Sequence, residues 1–305
     1  MCSNPADSLQ LLLLEAERAW AYSQDLITLS LQPANDKKAS TLRHSATGRF
    51  RRSVTWSMQL LSLSQTLFAV SRLSAENLLQ ITIYTLILNG RFLRYRDEFE
   101  DALIQLSVAR GLLDELAAGA STSRDQALAT LFSDDIGPEI RHCAYELGHS
   151  KAYDVDGIVG ELASKHKHDV VEGYNALVEK LKTEEQAAGK AEIRKKLGVL
   201  LWEGQPVPVR NPELVDVLLK VQEAEARLDG QYQSTSGESA KVDGKKSAIH
   251  DKGLGSKKGV AAYDAILLAL SDAEEVARKL VEAQQVHILF ENVNCTLLMD
   301  LIVAE

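Results

Sequence analysis

The stretch SAENLLQITIYTLILNGRFLRYRDEFEDALIQLSVARGLLDELAAG, residues 74–119, decides the fold class. Apolar residues recur at helical spacing on both sides of a break near Asp97. Ser74 predicts a helix start, with Glu76 or Asn77 in the first turn and Leu78, Ile81, Thr85, Leu88 and Phe92 on the buried face. Asp97 opens a second helix with Phe99, Ala102, Leu106, Ala109 and Leu113 inside and Gly119 as its stop. Helices joined this closely lie antiparallel. Gly90 and Ala102 fall where two such helices need small side chains to approach, the spacing of a tetratricopeptide repeat. The repeat's usual Trp and Pro are replaced here by Leu86 and Asp114.

The same periodicity extends in both directions. Asp7 caps a helix whose expected inward face carries Leu11, Leu14, Ala19, Tyr22 and Leu26, ended by Pro33 and Asn35. A long helix follows from about Asp36 to Phe68, weakest at Gly48, with Val54, Met58 and Leu61 inside and Arg51 and Arg52 opposite. Residues 123–133 and 138–147 read as two short helices, Pro138 sitting in the first turn of the second. A longer helix is expected over 166–187. Residues 198–209 then alternate around Glu203-Gly204, which predicts a β-hairpin. Asn211-Pro212 starts another helix. Residues 230–258 are rich in Gly, Ser and Lys, with Tyr232 the lone aromatic, and read as a linker. The expected fold is therefore all-α: antiparallel helical hairpins in a tetratricopeptide-like array, with one short β-hairpin. The domains expected are 1–150, a helical extension over 151–229 with the hairpin near 199–209, the linker 230–258, and a C-terminal helix in 259–305.

Composition narrows the function. The 305 residues are 45% hydrophobic, enough for a core, and only 6 are Pro and 18 Gly. Three scattered cysteines supply neither a disulfide framework nor a thiolate metal site. No apolar run reaches the ~18 residues of a spanning helix, and Leu9–Leu14 meets charge too soon for a secretory leader. The chain is expected to be intracellular.

Charge is uneven. The net charge is -9, yet residues 26–96 carry Lys37, Lys38, Arg43, Arg49, Arg51, Arg52, Arg72, Arg91, Arg94 and Arg96 against only Asp36 and Glu76. A basic face on an acidic chain suits a polyanion. The residues expected to meet that polyanion are Lys37, Lys38, Arg43, Arg49, Arg51, Arg52, Arg91 and Arg94.

Catalytic and cofactor motifs are missing. There is no phosphate-binding P-loop, zinc-protease or nucleophile-elbow signature. Gly253–Gly259 lacks the strand that a phosphate cradle needs. His166 and His168 diverge on a helix, which disfavours a shared metal. Cys143, beside His142, reads as a buried thiol. No enzyme activity, cofactor or metal is expected. Trp20 and Tyr145 read as core aromatics, with Trp20 as a base-stacking platform the sharper alternative.

Four segments carry a family resemblance. Ala16–Tyr22 (AERAWAY), Arg49–Val54 (RFRRSV), Asp135–Gly148 (DIGPEIRHCAYELG) and Trp202–Val209 (WEGQPVPV) resemble, in order and spacing, the 68-kilodalton subunit of the eukaryotic signal recognition particle. The resemblance covers about residues 8–290. It implies a non-enzymatic subunit whose N-terminal helical array binds the particle's RNA near a multi-helix junction, a basic helix entering a groove. It also implies a 72-kilodalton partner subunit, a role in delivering secretory proteins to the endoplasmic reticulum without membrane insertion, and a cytoplasmic location with nucleolar assembly. The family carries an Arg-rich stretch before the AERAW helix and a C-terminal part that meets the partner. This sequence begins and ends short of both. The competing reading is a helical-repeat scaffold for protein partners, without RNA.

Overall fold

The computed structural model describes residues 5–120, 122–188, 196–202, 204–207, 209–236, 261 and 263–283. It is all-α apart from one two-stranded antiparallel sheet. The chain forms two compact units. The first takes in Met1–Ser121 and Ala129–Ala191, the second Thr122–Leu128 and Glu192–Glu305.

The first unit begins with α1 (Pro5–Ser30), a 3-10 turn (Pro33–Lys38) and α2 (Ala39–Ala69). The seam between α1 and α2 is built of small side chains. Ala16, Ala19, Ser23 and Ser30 on α1 and Ala46, Ser53, Ser57 and Ser64 on α2 are buried. The Ser23 hydroxyl donates to the Trp20 carbonyl and the Ser57 hydroxyl to that of Val54, so burial leaves these donors satisfied. Of the inward faces expected for these two helices, Ala19, Leu26 and Val54 are buried. Leu11, Leu14, Tyr22 and Met58 are exposed. Close helix approach rewards small residues, and a pattern weighted by hydrophobicity passes over Ser and Ala.

Helix α3 (Ala75–Tyr95) is the central helix, with buried residues on several sides. The Ser74 side chain accepts from the Asn77 N–H at 3.3 Å, the cap its sequence predicts. Helix α4 (Phe99–Gly119) packs on it. A Cβ added to Gly90 would come within 2.8 Å of the Leu106 side chain, so glycine sets that spacing. Helix α2 ends with the Arg72 N–H bonded to the Leu67 carbonyl, and α3 with the Glu98 N–H bonded to the Leu93 carbonyl. These are Schellman ends, with Ser71 (φ 56°) and Asp97 (φ 63°) in the left-handed position usually given to glycine.

Two expectations about helix boundaries fail. Residues 123–146 form one helix, α5 (Ser123–Glu146), with Pro138 inside it. Proline costs the ladder one donor, and its ring crowds the residue before it. That residue is Gly137, which has no Cβ to clash, and Ile136 and Ile140 on either side are fully buried. Tertiary packing outweighs the helix breaker. Conversely, the helix expected over 166–187 is two, α6 (Val155–Val170) and α7 (Tyr174–Ala188), separated at Gly173 with φ 68°. The Glu184 carboxylate of α7 accepts the Ala75 N–H at 2.9 Å and so satisfies an N-terminal donor of α3.

In the second unit, β1 (Leu200–Trp202) pairs with β2 (Gln205–Val207) in the register Leu200↔Val207, and Gly204 turns at φ 78°. The hairpin stands where the sequence places it. Helix α8 (Pro212–Ser236) starts with the Asn211 Oδ1 accepting from the Glu213 and Leu214 N–H groups. It extends through Gly230–Ser236, the first residues of the expected linker; residues 237–258 of that span lie outside the described residues. A last helix, α9 (263–283), packs Ala269, Ala273 and Val276 against Leu214, Val217 and Val221. The rest of the expected C-terminal segment, 284–305, is likewise outside the described residues.

Candidate nucleic-acid interface

Helix α2 has 31 residues, and not one is Asp or Glu. Arg43, Arg49, Arg51 and Arg52 lie along it, and Lys37 and Lys38 close the 3-10 turn just before it. All six side chains are exposed. Among the described residues no carboxylate comes within 4.0 Å of any of them.

Their orientation follows from Phe50. That ring is 2% exposed and meets Phe92 edge-on at 5.3 Å and Tyr95 at 6.0 Å. Val54 and Leu88 complete the cluster, with half-buried Trp20, Tyr84 and Tyr95 against it. Successive helical residues turn by about 100°. With Phe50 pointing inward, Arg51 and Arg52 lie about 100° and 200° away and face outward. The outward setting of Arg51 and Arg52 is thus a consequence of core packing.

Trp20 belongs to this cluster, with its indole N–H buried and without a partner among the described residues. The aromatic presented to solvent on α1 is instead Tyr22, 48% exposed, with the Arg49 guanidinium 4.8 Å from its ring centre. The sequence reading places Tyr22 in the core and so misses it. The signal available was Tyr22's place beside the Ala16–Ala19–Ser23 line. Tyr145 departs from expectation too: it is 73% exposed on the outer side of α5.

The remaining two cations of the expected set are drawn into the fold. Arg91 donates through Nε to Glu139 at 2.8 Å and through a terminal nitrogen to Asp135 at 2.8 Å. Arg94 Nε lies 3.7 Å from the other Glu139 oxygen. Burial alone would lower the Arg91 pKa, but the Glu139 and Asp135 charges outweigh it and hold it above its ordinary value. Two segments singled out in the sequence, the basic end of α3 and the DIGPEIRHCAYELG stretch, therefore meet as partners.

Cys143 of that stretch is fully buried, and burial pushes its thiol up to about 11. At neutral pH it is a packed thiol, not a thiolate. Among the described residues no group of three or more His, Cys, Asp or Glu could hold a metal ion, and no helix is long and apolar enough to cross a membrane.

The model of a family described as RNA-binding signal recognition particle 68 matches residues 3–294. The chain belongs to that family. The match runs through both compact units and takes in the four segments on which the resemblance rests. The family is one of structural, RNA-binding particle subunits and not of enzymes. In this member of the family, the cations and the exposed aromatic face outward on α1, α2 and the turn between them, while the Asp135–Gly148 stretch supplies internal counter-charges and core.

Proposed function

We propose that this chain is an RNA-binding structural subunit of the signal recognition particle, holding the particle's RNA on the outer face of α2 and its preceding turn. The observation that carries the reading is an acid-free 31-residue helix whose arginines are exposed and unpaired among the described residues. Like charges crowded along one helix repel, and a polyphosphate relieves that repulsion while releasing its own counterions. Arg43, Arg49, Arg51 and Arg52 offer planar forks for phosphate oxygens; Lys37 and Lys38 act as point charges. An A-form helix hides its base edges in a deep groove, so contacts of this kind read shape and backbone. Arg91 and Arg94 fall outside this site because Asp135 and Glu139 occupy them. In the particle, which also holds the 72-kilodalton subunit, the chain would serve co-translational targeting to the endoplasmic reticulum, in the cytoplasm after nucleolar assembly.

Electrophoretic shifts with the particle's RNA at two salt concentrations test this. Each phosphate contact contributes roughly -0.9 to the slope of log K against log salt, so six cations limit it to about -5. Binding that weakens along such a slope supports the reading. Binding that is absent at low salt, or indifferent to salt, refutes it.

A further inference from the structure

Resting on the RNA reading above, we infer that Tyr22 and Arg49 form a stacking platform for an unpaired nucleobase, with Gly48 and Arg52 receiving the backbone of the same nucleotide. The pair differs from the other cation–ring contacts among the described residues. Arg96 over Phe92 is held by Glu98, and the cations over Phe68 and Tyr174 are lysines, which have no planar face. Arg49 has no carboxylate within reach among the described residues, and it lies 4.8 Å from the ring centre of a tyrosine that is itself 48% exposed. The guanidinium lies over the phenol ring, which orders it and leaves its outer side open in a field of positive charge. A base can stack on this assembled pair at little ordering cost.

Gly48 supplies the second observation. It sits exposed inside α2, where glycine weakens a helix relative to alanine. Among the described residues nothing lies within 4 Å of where its Cβ would be, so no packing among them requires it. Its effect is to leave the helix surface beside Arg49 bare. Arg52 stands one helical turn on from Gly48, exposed and without an ion pair among the described residues. A ribose can come down onto bare backbone there, with its phosphate on Arg52 and its base on Tyr22 and Arg49.

Two RNA hairpins test the platform, identical except that one carries a short unpaired bulge labelled with 2-aminopurine. The full chain, Tyr22→Phe, Tyr22→Leu and Gly48→Leu are compared, each first shown to melt like wild type. Wild type should prefer the bulged hairpin and alter the probe's fluorescence by stacking. Tyr22→Leu should lose roughly 5- to 150-fold on the bulged hairpin, the range for removing one stacking aromatic. It should bind the paired hairpin as before, with an unchanged salt slope. Tyr22→Phe should retain the preference, and Gly48→Leu, which has open space to occupy, should lose it. If Tyr22→Leu weakens both hairpins equally or neither, the platform is wrong while the phosphate-binding face stands. If wild type binds neither hairpin, the RNA reading and the platform fall together.

Discussion

Replacing Phe50 with alanine separates the two roles of α2, as a packed helix and as a cationic face. Phe50 is 2% exposed, packs between α3 residues Phe92 and Leu88, and makes ring contacts at 5.3 and 6.0 Å. Truncating a buried phenylalanine costs about 3–5 kcal/mol, and these ring contacts place the loss toward the upper end. For a unit of this size each kcal/mol lowers Tm by about 2–4 °C, so the first unit should melt about 6–20 °C earlier. Phe50→Leu, which keeps much of the volume, should lose about 1–2 kcal/mol. Scanning calorimetry reads the loss directly, with far-ultraviolet circular dichroism confirming that helix content survives at low temperature. The neighbouring substitutions Arg51→Gln and Arg52→Gln should each cost less than about 0.5 kcal/mol, because an exposed side chain leaves no cavity. The reasoning is refuted if Phe50→Ala costs under about 1 kcal/mol while either arginine variant costs more than about 2. The helix would then be rotated, and the arginines would point into the protein.

Other consequences follow from single contacts. Trp20→Phe should change stability by no more than about 1 kcal/mol in denaturant titration, since the indole N–H has no partner to lose, whereas Trp20→Ala should cost roughly 3 kcal/mol. Gly90→Val forces side-chain atoms into Leu106, already 2.8 Å from the Cβ position, and should cost at least about 1–3 kcal/mol; a neutral effect would mean that α3 and α4 are not this close. Glu139→Gln leaves Arg91 and Arg94 without their shared carboxylate and should cost about 1–3 kcal/mol by urea unfolding. Cys143 should resist thiol reagents in the folded state at pH 8 and react at once in denaturant. Its folded pKa of about 11 lies above the ordinary 9.0. Its contribution to stability is therefore whole below pH 9 and is lost as pH rises from 9 toward 11, by up to about 1.4 kcal/mol per pH unit.

Helix starts and the hairpin were legible because local chemistry specifies them. Ser74, Asn211 and Gly204 do in the structure what their side chains, or lack of one, dictate. The cationic face was legible as well, since charge can be counted without knowing the fold. Three features were not. Much of the buried surface of α1 and α2 is alanine and serine, so a pattern weighted by hydrophobicity places exposed residues such as Leu14 and Tyr22 inside along with the buried Leu26 and Val54. Pro138 reads locally as a helix start, and only the burial of Ile136 and Ile140 carries the helix through it. Arg91 and Arg94 look like their basic neighbours in sequence, yet they lie 44 to 48 residues from the carboxylates that hold them (Arg91 to Asp135 and Arg91 to Glu139 bound that range). No short-range pattern contains such a pairing.

The central claim is that the exposed arginines of α2 hold RNA phosphates. The most direct measurement is the salt dependence of particle-RNA binding for the full chain, set beside that of the Arg49→Gln, Arg51→Gln, Arg52→Gln triple variant. Glutamine keeps helix propensity nearly unchanged, so the variant should melt within about 3 °C of wild type. Its binding should weaken, and its log–log salt slope should flatten by roughly one to three units as one to three phosphate contacts vanish. An intact fold with an unchanged affinity and an unchanged slope would place the RNA somewhere other than this helix.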